Sequence, residues 1–108
     1  MGQMKLKQKI GPDAARWFLR PIGGPECFWV NNGPIVRSLE ELATAIRDMK
    51  KEIFLHHVNK DKNDFKEWID EVIGDIKLAH EMQKSRSRRN IMQVLNSRLK
   101  TLKILAEK

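Results

Sequence analysis

Cysteine is nearly absent from this chain of 108 residues, tyrosine is wholly absent, and no apolar run approaches the length of a membrane span. A lone Cys27 leaves no internal disulfide and no zinc site of the usual spacing, so a reducing, cytoplasmic setting is expected. Met1 to Lys9 carries charge with no apolar stretch behind it, so neither a signal peptide nor a membrane association is expected. GxGxxG, GxxxxGK, HExxH and DxDxDG patterns are missing too, which removes support for nucleotide, P-loop, zincin and EF-hand chemistry. Histidines are few. His56 and His57 are adjacent and point about 100° apart on a helix, and His80 stands alone, so a histidine-based metal site lacks ligands. Cys27 lies in an apolar stretch with no histidine nearby and reads as a small buried hydrophobe, not a nucleophile. No cofactor is implied, and the chain is not expected to be an enzyme.

What is abundant is charge, and it is segregated. The formal net charge is +7, but residues 1–25 carry +4, residues 26–83 carry −4 and residues 84–108 carry +7. An acidic middle with basic ends suggests an anionic partner, because each neutralised phosphate releases counterions. Basic small proteins with many surface charges are also common without such a partner.

The chain divides into a flexible basic arm over 1–10 and a single mostly helical domain over 11–108. Pro12 starts a short helix that ends before Pro21, docked by Trp17 and Phe18. Pro21-Ile22-Gly23-Gly24-Pro25 is a loop. Cys27–Val30 and Ile35–Val36 flank Asn31-Asn32-Gly33-Pro34, which predicts an N-terminal β-hairpin with its second strand at an edge. Nothing later has strand character. Ser38 and Glu41 form a capping box before a helix whose face is Leu39, Leu42, Ala43, Ile46 and Met49. Glu52–Val58 is a second apolar segment, broken from the first at Lys50 and Lys51. Asp64 and Glu67 form another capping pair, Gly74 ends that helix, and Asp75 caps the next. A basic helix over 87–108 carries a stripe of Ile91, Leu95, Leu99, Leu102 and Leu105 to its end. The fold class is therefore mainly α, with four to five short helices and one hairpin.

The middle of the chain concentrates an ordered set of residues: His57-Val58-Asn59, Asn63-Asp64-Phe65, Trp68-Ile69, Val72-Ile73-Gly74-Asp75 and Leu78-Ala79. With the Asn-Gly turn and the Ser38-to-Ala43 helix start, this run resembles an uncharacterised family of small prokaryotic proteins, frequent in archaea, over about residues 28–95. The resemblance implies a shared fold and brings no activity. Read from the residues themselves, His57, Asn59, Asn63, Asp64, Trp68 and Asp75 are expected to be structural. Asn59 and Asn63 would turn or cap the loop, Asp64 and Asp75 would serve two helix starts, and His57 would donate to a buried carbonyl. An enzyme would require His57, Asp64 and Asp75 to converge in an open pocket.

Lys84, Arg86, Arg88 and Arg89 surround two serines at an interhelix junction, an arrangement suited to phosphate. Arg98, Lys100 and Lys103 extend the charge along the last helix, and Lys5, Lys7 and Lys9 supply the arm. These ten residues predict nucleic-acid or ribonucleoprotein binding with little sequence preference, DNA and RNA being equally compatible. Trp17, Trp29 and Trp68 could stack on bases, although packing is the commoner use of tryptophan beside large apolar neighbours. The alternative is a protein-interaction module in which Ile91, Leu95, Leu99, Leu102 and Leu105 pair with a partner helix, a homodimer being its simplest form.

Overall fold

The computed structural model describes residues 10–108 and is mainly helical, with two small antiparallel hairpins. Lys5, Lys7 and Lys9 lie outside the described residues. Helix α1, Pro12–Phe18, begins on the proline whose missing N–H costs nothing at a helix start. Fully buried Ala15 and half-buried Phe18 dock it. Trp17 does not, being 59% exposed with the Arg20 guanidinium stacked on its ring at 3.7 Å.

After a single 3₁₀ turn, Gly24–Glu26, strands β1 (Phe28–Trp29) and β2 (Ile35–Val36) pair antiparallel, Phe28 opposite Val36 and Trp29 opposite Ile35. The turn between them is closed by the Gly33 N–H donating to Val30 O, and Asn32 takes the positive φ of 54°. Gly33 is required for a different reason. A Cβ there would stand 2.7 Å from a Val30 methyl.

Helix α2, Leu39–Asp48, is capped by Ser38, whose side chain accepts from the Glu41 N–H. The Glu41 carboxylate reaches back one residue further than the usual box, to the Arg37 N–H. Lys50, extended at ψ 154°, separates α2 from α3, Lys51–His57. A second hairpin follows, β3 (Val58–Asn59) with β4 (Lys62–Asn63), where the residue types indicate no strand. Asn59 makes it: its Nδ2 donates to Leu55 O at the end of α3, and its Oδ1 accepts the Asp61 N–H to turn the chain.

Helix α4, Asp64–Trp68, is capped by Asn63 and not by Asp64, which is thereby free for other work. It continues into a π-helical turn, Ile69–Ile73, that closes on Gly74 at φ +93°. The carbonyls of Val72 and Ile73, left over by that turn, accept from the Arg20 guanidinium. Helix α5, Ile76–Met82, is capped by Asp75, and α6, Arg88–Ala106, by Ser87.

The core extends from Ala15 to Leu102 in one cluster, and α6 closes it by packing on α1, α2 and α5. Ile91, Leu95 and Leu102 are at most 1% exposed and Leu99 is 6% exposed. This corrects the expectation of a partner-helix face: the stripe is consumed by the chain's own core, with only Leu105 half-buried at its end. Among the described residues no helix is long and apolar enough to cross a membrane.

Candidate nucleic-acid interface

The basic residues sort into those that hold the fold and those that face outward. Arg88 donates to the carbonyls of Ile46 and Met49, closing the C-terminal end of α2, and lies over the Phe54 ring at 5.2 Å. Arg98 forms a two-bond pair with Asp75 at 2.7 and 2.8 Å, with Arg98 12% and Asp75 1% exposed. Neither is available to a phosphate, so both leave the expected set. Arg16 has a similar duty, donating to the last carbonyl of α6, Ala106 O.

Lys84 and Arg86 remain exposed, and the second hairpin is brought beside them. The link is Asn63, whose Oδ1 caps α4 while its Nδ2 donates to Met82 O at the end of α5. That bond closes a polar cleft of about 540 Å³ between the β3–β4 hairpin and the α5–α6 turn. Lys60, Lys62, Lys66, Lys84 and Arg86 line it, against only Asp61 and Glu67. Lys62 is held by Asp64 at 3.0 Å, Lys84 by Glu81 at 3.2 Å, and Lys66 lies 3.7 Å from Asp70. Among the described residues Lys60 and Arg86 make no ion pair. Ser85 shapes the turn by accepting from the Ser87 N–H and the Asn90 amide.

Sequence reading found Lys84 and Arg86 but missed Lys60, Lys62 and Lys66, because they belong to the acidic middle of the chain. A signal exists in Asn59-Lys60-Asp61-Lys62-Asn63, where two lysines alternate with residues that favour turns. Arg89 is exposed on the first turn of α6. Lys100 and Lys103 stand apart in a smaller depression of about 370 Å³ with Arg47 and Glu40, where Lys103 pairs with Glu40 at 2.7 Å.

The motif residues divide by contact. His57, 4% exposed, accepts the Asn31 N–H at Nε2 and lies 2.9 Å from Asp64 at Nδ1. Because Nε2 must accept, the ring proton sits on Nδ1 and is donated to Asp64. His57 thus binds a carboxylate and a backbone N–H, not the carbonyl expected of it. Burial pushes its pKa below the ordinary value, outweighing the upward pull of Asp64. Burial would raise Asp64, but the hydrogen bonds from His57 and Lys62 outweigh it and hold that carboxyl below its ordinary value. Asp75 is committed elsewhere, to the Leu78 N–H and Arg98. Trp68 is buried and donates from Nε1 to Glu26 O. The three groups an acid–base centre would need therefore do not share an open pocket. Among the described residues no cluster of three or more His, Cys, Asp or Glu is placed to hold a metal.

Fold and site together define a small, mainly helical domain that carries a basic, polar cleft between a hairpin and an interhelix turn. Comparison with family models, with curated proteins and with solved structures finds no match for this chain.

Proposed function

We propose that the protein is a non-enzymatic, cytoplasmic nucleic-acid-binding or ribonucleoprotein-binding domain, gripping the sugar–phosphate backbone in the cleft between the β3–β4 hairpin and the α5–α6 turn. The observation that carries the reading is convergence. Five basic side chains from two stretches of sequence line one polar concavity, with Asn63 tying the stretches together. Lysine and arginine there neutralise phosphates and gain from counterion release, which is independent of base sequence. Arg89 stands on the turn following Arg86, and Lys5, Lys7 and Lys9 add positive charge in the sequence before α1. Among the described residues no element with base-reading side chains accompanies them, so little sequence preference is expected. We also place the chain with the prokaryotic family that its motif run resembles, a placement that brings no activity.

The test is fluorescence anisotropy with labelled duplex DNA, single-stranded DNA and structured RNA over a series of salt concentrations. The chain is compared with a Lys60→Ala/Lys84→Ala/Arg86→Ala variant. Wild type is expected to bind at least one probe with a dissociation constant on the order of 10⁻⁴ to 10⁻⁶ M, the range of non-specific binding at physiological salt. In the variant the log–log salt slope should become shallower by about one per phosphate contact removed. No binding to any probe at low salt, or an unchanged slope in the variant, rejects the reading.

A further inference from the structure

A second concavity shares no lining residue with the basic cleft. It is a groove of about 690 Å³ between the first hairpin and α2, with an apolar floor that includes Val30, Val36, Ala45, Met49 and Ile53. Its charged lining is Glu40, Glu41 and Asp48 against Lys50 alone, an acidic rim on a chain whose net charge is +7. Glu40 and Asp48 are engaged only in exposed pairs, with Lys103 and Arg47, which contribute little and exchange readily.

Strand β2 forms one wall, and its ladder has an open side. Val30 donates to Pro34 O, and the register places Phe28 opposite Val36, so these two pairs are hydrogen-bonded and the intervening Trp29–Ile35 pair is not. The N–H and C=O of Ile35 therefore point away from β1, the side on which Arg37, two residues on, accepts the Ile22 N–H, and among the described residues no other backbone group bonds to β2 there. Trp29, across the ladder from Ile35 and outside the groove's lining, is 61% exposed beside it.

We propose that this groove docks an extended peptide segment of a partner protein, with apolar side chains alternating with Lys or Arg. An extended segment pairs its backbone with Ile35 as an added strand, and the period of two sends alternate side chains to the apolar floor. The intervening basic side chains meet Glu40, Glu41 and Asp48. A second copy of this chain fits less well, because two-fold pairing at β2 brings two acidic rims together.

The probe is a phage-displayed library of random dodecapeptides, selected on the immobilised full chain. Enriched peptides are then synthesised, labelled and titrated against wild type, Thr44→Arg, Asp48→Lys and Arg86→Ala. Thr44 and Asp48 are exposed groove residues, so both variants are expected to keep the wild-type circular dichroism and melting profile. The selected peptides should alternate apolar and basic residues, and each groove variant should bind them roughly tenfold more weakly or worse. Arg86→Ala, in the separate cleft, should bind them as wild type does. The proposal is overturned by peptides without basic residues, by no enrichment over a blank surface, or by a groove variant that binds them with wild-type affinity. Loss of binding in Arg86→Ala also overturns it, as does wild-type self-association in sedimentation that Thr44→Arg abolishes. None of these outcomes depends on whether the basic cleft binds nucleic acid.

Discussion

At the scale of single residues, His57 is buried and held at both ring nitrogens. It joins Asn31, at the turn of the first hairpin, to Asp64, which in turn holds Lys62 of the basic cleft. A proton added to Nε2 would set two donors face to face, the imidazolium N–H and the Asn31 N–H, beneath the rings of Phe28, Phe65 and His56. The charged groups around the ring are Asp64, Lys62 and His56. With its folded pKa depressed, the unfolded chain takes up the proton first as pH falls below the ordinary value of 6.5. The contribution of His57 is therefore fully present above that value and is lost progressively below it. Urea melts between about pH 5 and about pH 8 should show stability falling on the acid side, and His57→Gln should flatten that limb. An equally steep limb in His57→Gln would assign the dependence to other groups. Sequence reading recognised His57 and Asp64 as fixed polar residues, but not their mutual bond. Asp64 is released for it only because Asn63 takes the cap, a choice between adjacent residues that both favour that position.

Local chemistry settles most of the helix boundaries. Ser38, Asn63, Asp75 and Ser87 each accept a backbone N–H at a helix start, and Pro12 opens α1. Gly74 closes the π-helical turn in a left-handed conformation at φ +93° that a side chain resists. Gly74→Ala should cost about 1 to 2 kcal/mol, read as a lower urea midpoint, since a Cβ meets nothing closer than Phe18 at 3.9 Å and only backbone strain opposes it. A midpoint equal to wild type would mean that the Arg20 bonds to Val72 and Ile73 hold this turn whatever residue follows it. The second hairpin was not legible at this scale. Two-residue strands have too little periodicity to register, and their pairing depends on where Asn59 sends its side chain.

Across the whole molecule, positive charge serves two purposes that composition alone does not separate. Arg88 and Arg98 bond to the interior of the fold, while Arg86 faces the cleft. Arg98→Ala leaves the buried Asp75 without its partner, a change expected to destabilise by about 3 to 5 kcal/mol, and Arg88→Ala should also lower the melting temperature. Neither should alter the salt slope of nucleic-acid binding at temperatures where the variant is folded. Arg86→Ala should do the reverse, leaving the melt intact and flattening the slope. A matched loss of affinity in Arg88→Ala, with its melt unchanged, would place Arg88 back in the interface. What the sequence by itself determined is the mainly helical class, the first hairpin, the caps at Ser38 and Asp75 and the apolar stripe of α6, because caps, turns and periodicity act within a few residues of one another. Tertiary structure decided that the stripe would be buried in its own core, that Arg88 and Arg98 would turn inward, and that Lys60, Lys62 and Lys66 would join Lys84 and Arg86. Those outcomes depend on contacts between residues distant in the chain, such as Asn63 with Met82 and Asp75 with Arg98, and no local pattern specifies which charges will meet.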